Sequence, residues 1–259
     1  MRLRPLHLVG AAVVAAIVVG GLWQPHDPDA INVLAKHAPP SLLHPLGTDN
    51  LGRDVASRLL VAGWRTALVV LAVWTIGFAG GAFIGTVTAV AGGWREQIVL
   101  RGTEMFIIVP TLVWGLTAAA VFGLSPLTAG LALGLAGVGP YALMANALTH
   151  RTLRLAYVQA ARALGVGPMR LVYRHILPTT LPVLFAHAGA YAGQAVVAYA
   201  ALAFIGLGAD PTRPDWGSML FEYRGFVFDN PWLMIWPGLA IALFSALLSH
   251  GFDRERSGP

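Results

Sequence analysis

Residues 149–178 read THRTLRLAYVQAARALGVGPMRLVYRHILP, and they lie between two stretches, 127–148 and 179–207, that contain no Asp, Glu, Lys or Arg. Leu153, Ala156, Tyr157, Ala160 and Leu164 recur at i, i+3, i+4, i+7 and i+11, which places them on one helical face. Gly165-Val166-Gly167 then breaks the pattern, and Pro168 suits the first turn of a second helix. Met169, Val172, Tyr173 and Ile176 repeat the spacing, and Pro178 is expected to end that helix. The stretch predicts two short amphipathic helices joined by a glycine turn. Five arginines accompany them. A pair lying flat on a membrane surface would show the same pattern.

Working outward, the whole chain fits a membrane. Of its 259 residues 56% are apolar and only 11% charged, with a mean hydropathy of +0.67, whereas a soluble globular chain carries about 25% charged residues. That composition excludes soluble, disordered and collagen-like classes. The absence of cysteine excludes disulfide, cysteine–zinc and thiol chemistry. A net charge of +5 could suit nucleic acid, but scattered Lys and Arg between apolar blocks instead mark loop ends facing an anionic leaflet.

A crossing helix needs about 20 apolar residues. Six candidate spans run about 8–23, 64–91, 103–123, 127–148, 179–207 and 231–250. The first could be a cleaved signal peptide. No small-residue cleavage site precedes Gln24, so a retained anchor is the expectation. The domains follow as 1–62 for the anchor and an external loop, 63–252 for the transmembrane domain, and 253–259 for a cytoplasmic tail. With the N-terminus inside, eleven of the seventeen cationic residues face the cytoplasm and six face outward. The positive-inside rule therefore puts both termini inside, in a multi-pass protein of the bacterial inner membrane.

Within the spans, Gly77, Gly81 and Gly85 leave one stripe without side chains, for close helix packing or for dimerisation. Pro110, Pro140 and Pro182 interrupt the third, fourth and fifth spans. Asn146, His187 and Gln194 are polar residues inside apolar stretches. They could line a translocation pathway or make interhelical hydrogen bonds. No span holds an acid near its centre, which argues against proton or sodium coupling. His26, His37 and His44 share one loop without ligand spacing, so no metal site is expected.

Two stretches carry a resemblance. Residues 157–178 resemble the EAA signature of ABC-importer permeases, with Ala160, Ala161, Gly165, His175, Leu177 and Pro178 matching in identity and spacing; Gln159 stands where the family has Glu. Residues 44–65, HPLGTDNLGRDVASRLLVAGWR, are similar to a segment typical of the dipeptide, oligopeptide and nickel importers, specifically the C-type partner of a permease heterodimer. Phe204–Gly208 and Pro214–Met219 look like further elements of that subfamily, while the end of the chain, from His250 to Arg256, departs from it.

The resemblance implies an all-α type I importer domain with a cytoplasmic coupling helix. Gln159, Ala160, Ala161, Gly165, Val166, Gly167, Pro168, His175 and Pro178 would meet the ATPase. The implied partners are a second permease, two ATPase subunits, an external solute-binding protein and membrane lipid, with no nucleic acid. The cargo would be a short peptide, nickel or a metal chelate of metallophore type. The chain itself is expected to bind no cofactor; ATP and magnesium would sit on the ATPases, since no phosphate-loop motif is present.

The residues alone add less. Thr48 and Asp49 could cap a helix turn, and Asp54 and Arg58 could pair at i, i+4 on an exposed surface. That Asp/Arg density reads as a structural clasp or as a substrate site. Segment 210–230, rich in aromatics, is placed outside, where a delivery protein could sit. Two rival classes stay open: a secondary transporter or channel, and an intramembrane hydrolase built on Ser218 with His187 or His250.

Overall fold

The computed structural model describes residues 5–206 and 212–251. Arg2, Arg4, the Leu207-Gly208 end of the Phe204–Gly208 element, and the 253–259 tail lie outside the described residues. The described chain runs through α1 (Pro5–Leu22), α2 (Val55–Ala91), α3 (Gly93–Ile108), α4 (Thr111–Phe122), α5 (Pro126–Leu153), α6 (Ala156–Ala163), α7 (Pro168–Phe204), α8 (Trp216–Tyr223) and α9 (Trp232–Gly251). Among the described residues there is no strand beyond one isolated bridge, Thr48 to Asp54.

Among the described residues four helices, α2, α5, α7 and α9, are long and apolar enough to cross a membrane. The α3–α4 pair becomes a fifth span if taken together, bent by 77°. Five of the six expected spans are thus met among the described residues, counting the bent pair as one, and α1 is a further eighteen-residue helix. The bend comes from Pro110, because a residue preceding proline is driven from the helical to the extended region. Val109 sits there at φ −85°, ψ 121°. Pro140 and Pro182, by contrast, lie inside uninterrupted helices.

Pro178 departs from expectation more sharply. It does not end a helix. The second short helix continues into the following span as α7, and the adjustment is made by a π-helical turn at Val172–Ile176. There the Leu177 N–H reaches back to the Val172 carbonyl, five residues earlier. This wider turn passes directly into Pro178, which has no N–H to offer the ladder.

The chain forms two compact units, and the first comprises the described parts of Met1–Val70, Leu116–Ala129 and Gly193–Leu247. Here a Cβ at Gly20 would lie 2.6 Å from Leu60, and one at Gly21 would lie 2.4 Å from Trp64, so α1 seats directly on α2. Segment 48–58 is buried against α8. Asp49 accepts from the Leu51 and Arg53 backbone N–H groups and from the Arg53 guanidinium at 2.7 Å. Glu222 receives Arg53 at 2.6 Å and Arg58 at 3.1 Å. Tyr223 donates to Asp49, and the Trp216 indole donates to the Leu59 carbonyl.

This differs from the exposed Asp54–Arg58 pair that the spacing suggests. Arg58 is fully buried, and Asp54 caps α2 through the Ser57 N–H and hydroxyl. Burial by itself would lower the Arg53 guanidinium, but the charges of Asp49 and Glu222 outweigh it and hold it above its usual value. Burial likewise pushes the Tyr223 phenol well up.

The second unit comprises the described parts of Leu71–Gly115, Gly130–Ala192 and Leu248–Pro259. Its centre is the contact of α2 with α5. A Cβ added at Gly77 would lie 2.9 Å from the Gly134 carbonyl, at Gly81 2.7 Å from that of Val138, and at Gly85 2.1 Å from that of Ala142. The glycine stripe is therefore a packing seam within the chain. Phe78, Tyr141, Leu184 and Ala188 fill the space around it.

Gly85→Leu is expected to lower the melting temperature of the detergent-solubilised chain markedly, since over-packing costs about 1–3 kcal/mol or more. Gly80→Ala, with open space at that position, is the matched control. Equal melting of the two variants would refute the seam.

Candidate functional site

The helix pair foreseen at 149–178 exists: α6, a turn at 164–167, and the first turn of α7 with Pro168 at its N-terminus. Gly165 sits at φ +80° with nothing within 4 Å of a Cβ placed on it. Its requirement is conformational rather than steric, because that region is costly for residues with a side chain. Gly167, at φ −64°, ψ 156°, has no such requirement.

Which face is buried differs from the periodic reading. Val158, Leu171 and Ile176 form a closed cluster, and Val90 of α2, Leu153 of α5, Ala161 and Val172 pack against it. On α6 the periodic face points outward, whereas Leu153, Val172 and Ile176 of the periodic set belong to the buried side. Tyr157, Met169 and Tyr173 are exposed, and Leu164 is 86% exposed. The apolar spacing thus marks an outward stripe, while one valine and the start of α7 pin the pair to the last turns of α2 and α5. Arg151, Arg154, Arg162, Arg170 and Arg174 of the same segment are all exposed.

The remaining positions sort themselves around this frame. Gln159 donates to the Arg154 carbonyl at 3.3 Å, serving the backbone locally. Ala160 is exposed and Ala161 half-buried. His175 stands with its ring centroid 6.0 Å from that of Tyr157. Val166 and Pro168 line a cavity of about 550 Å³ with His150, Arg154 and Arg162. Pro178 is exposed at the start of the long part of α7.

Of the intramembrane polar residues, His187 and Gln194 are both exposed on α7. Asn146 is buried and donates to Glu96 at 2.6 Å, with His150 on the same carboxylate oxygen at 2.5 Å. That three-residue cluster joins α3 to α5. Its only sequence signal was the polar Asn146 in an apolar run.

Ser218, the residue on which a hydrolase would rest, lies in α8. It is buried and forms a capping box with Asp215, whose carboxylate accepts its N–H at 2.9 Å while its hydroxyl donates to the Asp215 carbonyl. Burial pushes the Asp215 carboxyl up, against the opposing hydrogen bonds from Ser218 and the charge of Arg65. The hydroxyl is therefore committed to capping.

Residues 77–254 match the family described as "Binding-protein-dependent transport system inner membrane component". The chain is 34% identical to the "Probable D,D-dipeptide transport system permease protein DdpC" of Escherichia coli, over 92% of this chain and 82% of that one. It is 31% identical to the nickel transport system permease protein NikC of Escherichia coli, over 91% and 86% respectively. Among solved structures, the inward-facing MetNI methionine ABC transporter shares the fold, with a TM-score of 0.58 at 22% identity, over 74% of this chain and 91% of that one.

Proposed function

Because the chain belongs to the family of binding-protein-dependent transport system inner membrane components, we propose that it works as one of two different permeases in an ABC importer. The chain is a multi-pass inner-membrane transport subunit, and ATP hydrolysis belongs to separate subunits. The importer has ATPase and substrate-binding partners; in our reading two ATPases, carrying ATP and magnesium, dock on the cytoplasmic side. Both termini face that side, in line with the eleven-to-six split of cationic residues. The close seating of Gly20 and Gly21 on α2 favours α1 as a retained anchor.

One observation carries the coupling role: exposed apolar residues and five exposed arginines lie on a segment, 149–178, that buried Val158 pins to the ends of α2 and α5. A surface of that kind suits a partner with an apolar groove and acidic rim. A push on the 164–167 turn passes through the rigid cluster into three long helices. ATP binding would drive the permease pair outward-open, and hydrolysis would reset it, each state being selected by its own contacts. His187 and Gln194, polar and exposed on α7, face the pathway or the second permease, whereas Asn146 acts through its pair with Glu96.

The cargo is a short peptide, nickel or a metal chelate, the first two being the cargo classes named for the relatives. Leu164→Asp tests the docking surface. This side chain is almost fully exposed, so the variant should insert and melt like the parent while losing most of its co-purifying ATPase. Undiminished co-purification would remove the stripe from the interface.

A further inference from the structure

The connector between α1 and α2 brings together three side chains that the proposed coupling role does not use. His44 Nδ1 lies 2.9 Å from Asp54 Oδ1, and His26 Nδ1 lies 3.8 Å from Asp54 Oδ2. One potential ligand atom from each of the three residues falls within 4.8 Å of the other two. The two imidazole rings stand 4.8 Å apart. His26 Nδ1 is shielded from solvent and has no hydrogen-bond partner.

We propose that His26, His44 and Asp54 form a binding site for a divalent transition-metal ion, of which zinc is the best-suited probe. Two imidazole nitrogens and a carboxylate are the donor set of borderline ions, and magnesium or calcium would want oxygen ligands. Bonds of about 2.0–2.2 Å in tetrahedral geometry separate donors by about 3.4 Å. His44 stands 2.9 Å from one Asp54 oxygen and His26 stands 3.8 Å from the other, so side-chain adjustments of about an ångström bring one oxygen and the two nitrogens to that spacing. The Ser57 N–H and hydroxyl hold Asp54 Oδ2 at 2.8 and 2.7 Å, fixing the carboxylate as outer-shell partners do at metal sites.

The His26 and His44 side chains retain 32% and 18% exposure, so the pair is reached from solvent. An ion here clips residue 26, residue 44 and the capping residue of α2 into one node. It would satisfy the orphaned His26 nitrogen at the same time. The site stands independently of the cargo and of the ATPase partner.

The test uses the full-length chain, purified in detergent without a polyhistidine tag, titrated calorimetrically with zinc alone at neutral pH. One zinc per chain is expected, with a rise in melting temperature. His26→Ala should weaken binding by about 100-fold or more, at or above the upper end of outer-shell effects, and abolish the thermal shift. It keeps the backbone N–H that binds the Ser57 hydroxyl and leaves the α2 cap intact, so its own unliganded melting should match the parent. His37→Ala, whose ring instead stands near Phe226, should bind as the parent does. Equal zinc affinity in His26→Ala, displacement by millimolar magnesium, or no stoichiometric binding would overturn the proposal.

Discussion

Gly165→Val should reduce substrate-stimulated ATPase activity of the reconstituted importer to its basal rate, with membrane insertion unchanged. Open space around Gly165 means the valine meets no clash. The cost is in the backbone: φ +80° is a left-handed conformation that penalises a residue with a side chain by about 1–2 kcal/mol, and more when it is β-branched. The least expensive relief is for the 164–167 turn to change shape. That would re-aim α6 against the start of α7 and move the exposed stripe off its partner.

Two companions separate this cause from simple bulk. Gly165→Asn tolerates the left-handed region and should keep most of the stimulation. Gly167→Ala should keep nearly all of it, since that residue is already in an ordinary extended conformation. Full stimulation in Gly165→Val would remove the turn from the coupling path.

The second large effect is expected at Glu222→Ala. Arg53 and Arg58 both reach this carboxylate, Arg58 from a fully buried position. Removing one partner of a buried pair strands the other charge, typically at 3–5 kcal/mol. Asp49 and Asp29 still face the arginines, so the low end, about 3 kcal/mol, is the better figure. At about 2–4 °C per kcal/mol for a chain of this size, the melting temperature should fall by about 6–12 °C.

Adding Arg58→Met to Glu222→Ala should recover part of that loss, because the stranded charge is removed and an apolar stem replaces it. Simple additivity of the two losses would show that the residues are not coupled. Either way the assay separates a structural clasp from a substrate site, since the clasp variant should lose stability before it loses transport specificity.

Much of this was legible in the sequence, for reasons that differ by element. Charge-free runs announce crossing helices because unsatisfied backbone and charge are so costly in hydrocarbon. Pro110 announced its break, and the glycine stripe its close packing. Pro178 misled, because proline's missing N–H ends a helix only where no wider turn accommodates it; here the π turn at Val172–Ile176 does so. The face of α6 misled for another reason. Periodicity reports that apolar residues share a side, and a docking stripe and a buried stripe look alike.

Residues 149–178 alone thus determined one short helix, a glycine turn, the start of a second helix and a basic apolar surface between spans, since each follows from local spacing and local backbone preference. Tertiary structure alone decided what those features are pinned to and which side is left free. It also decided the pairing of Arg58 with Glu222 across 164 residues, and the meeting of His26, His44 and Asp54 in a loop whose spacing showed no ligand pattern. Contacts between residues distant in the chain depend on how the helices pack, and one chain's local spacing holds no record of that.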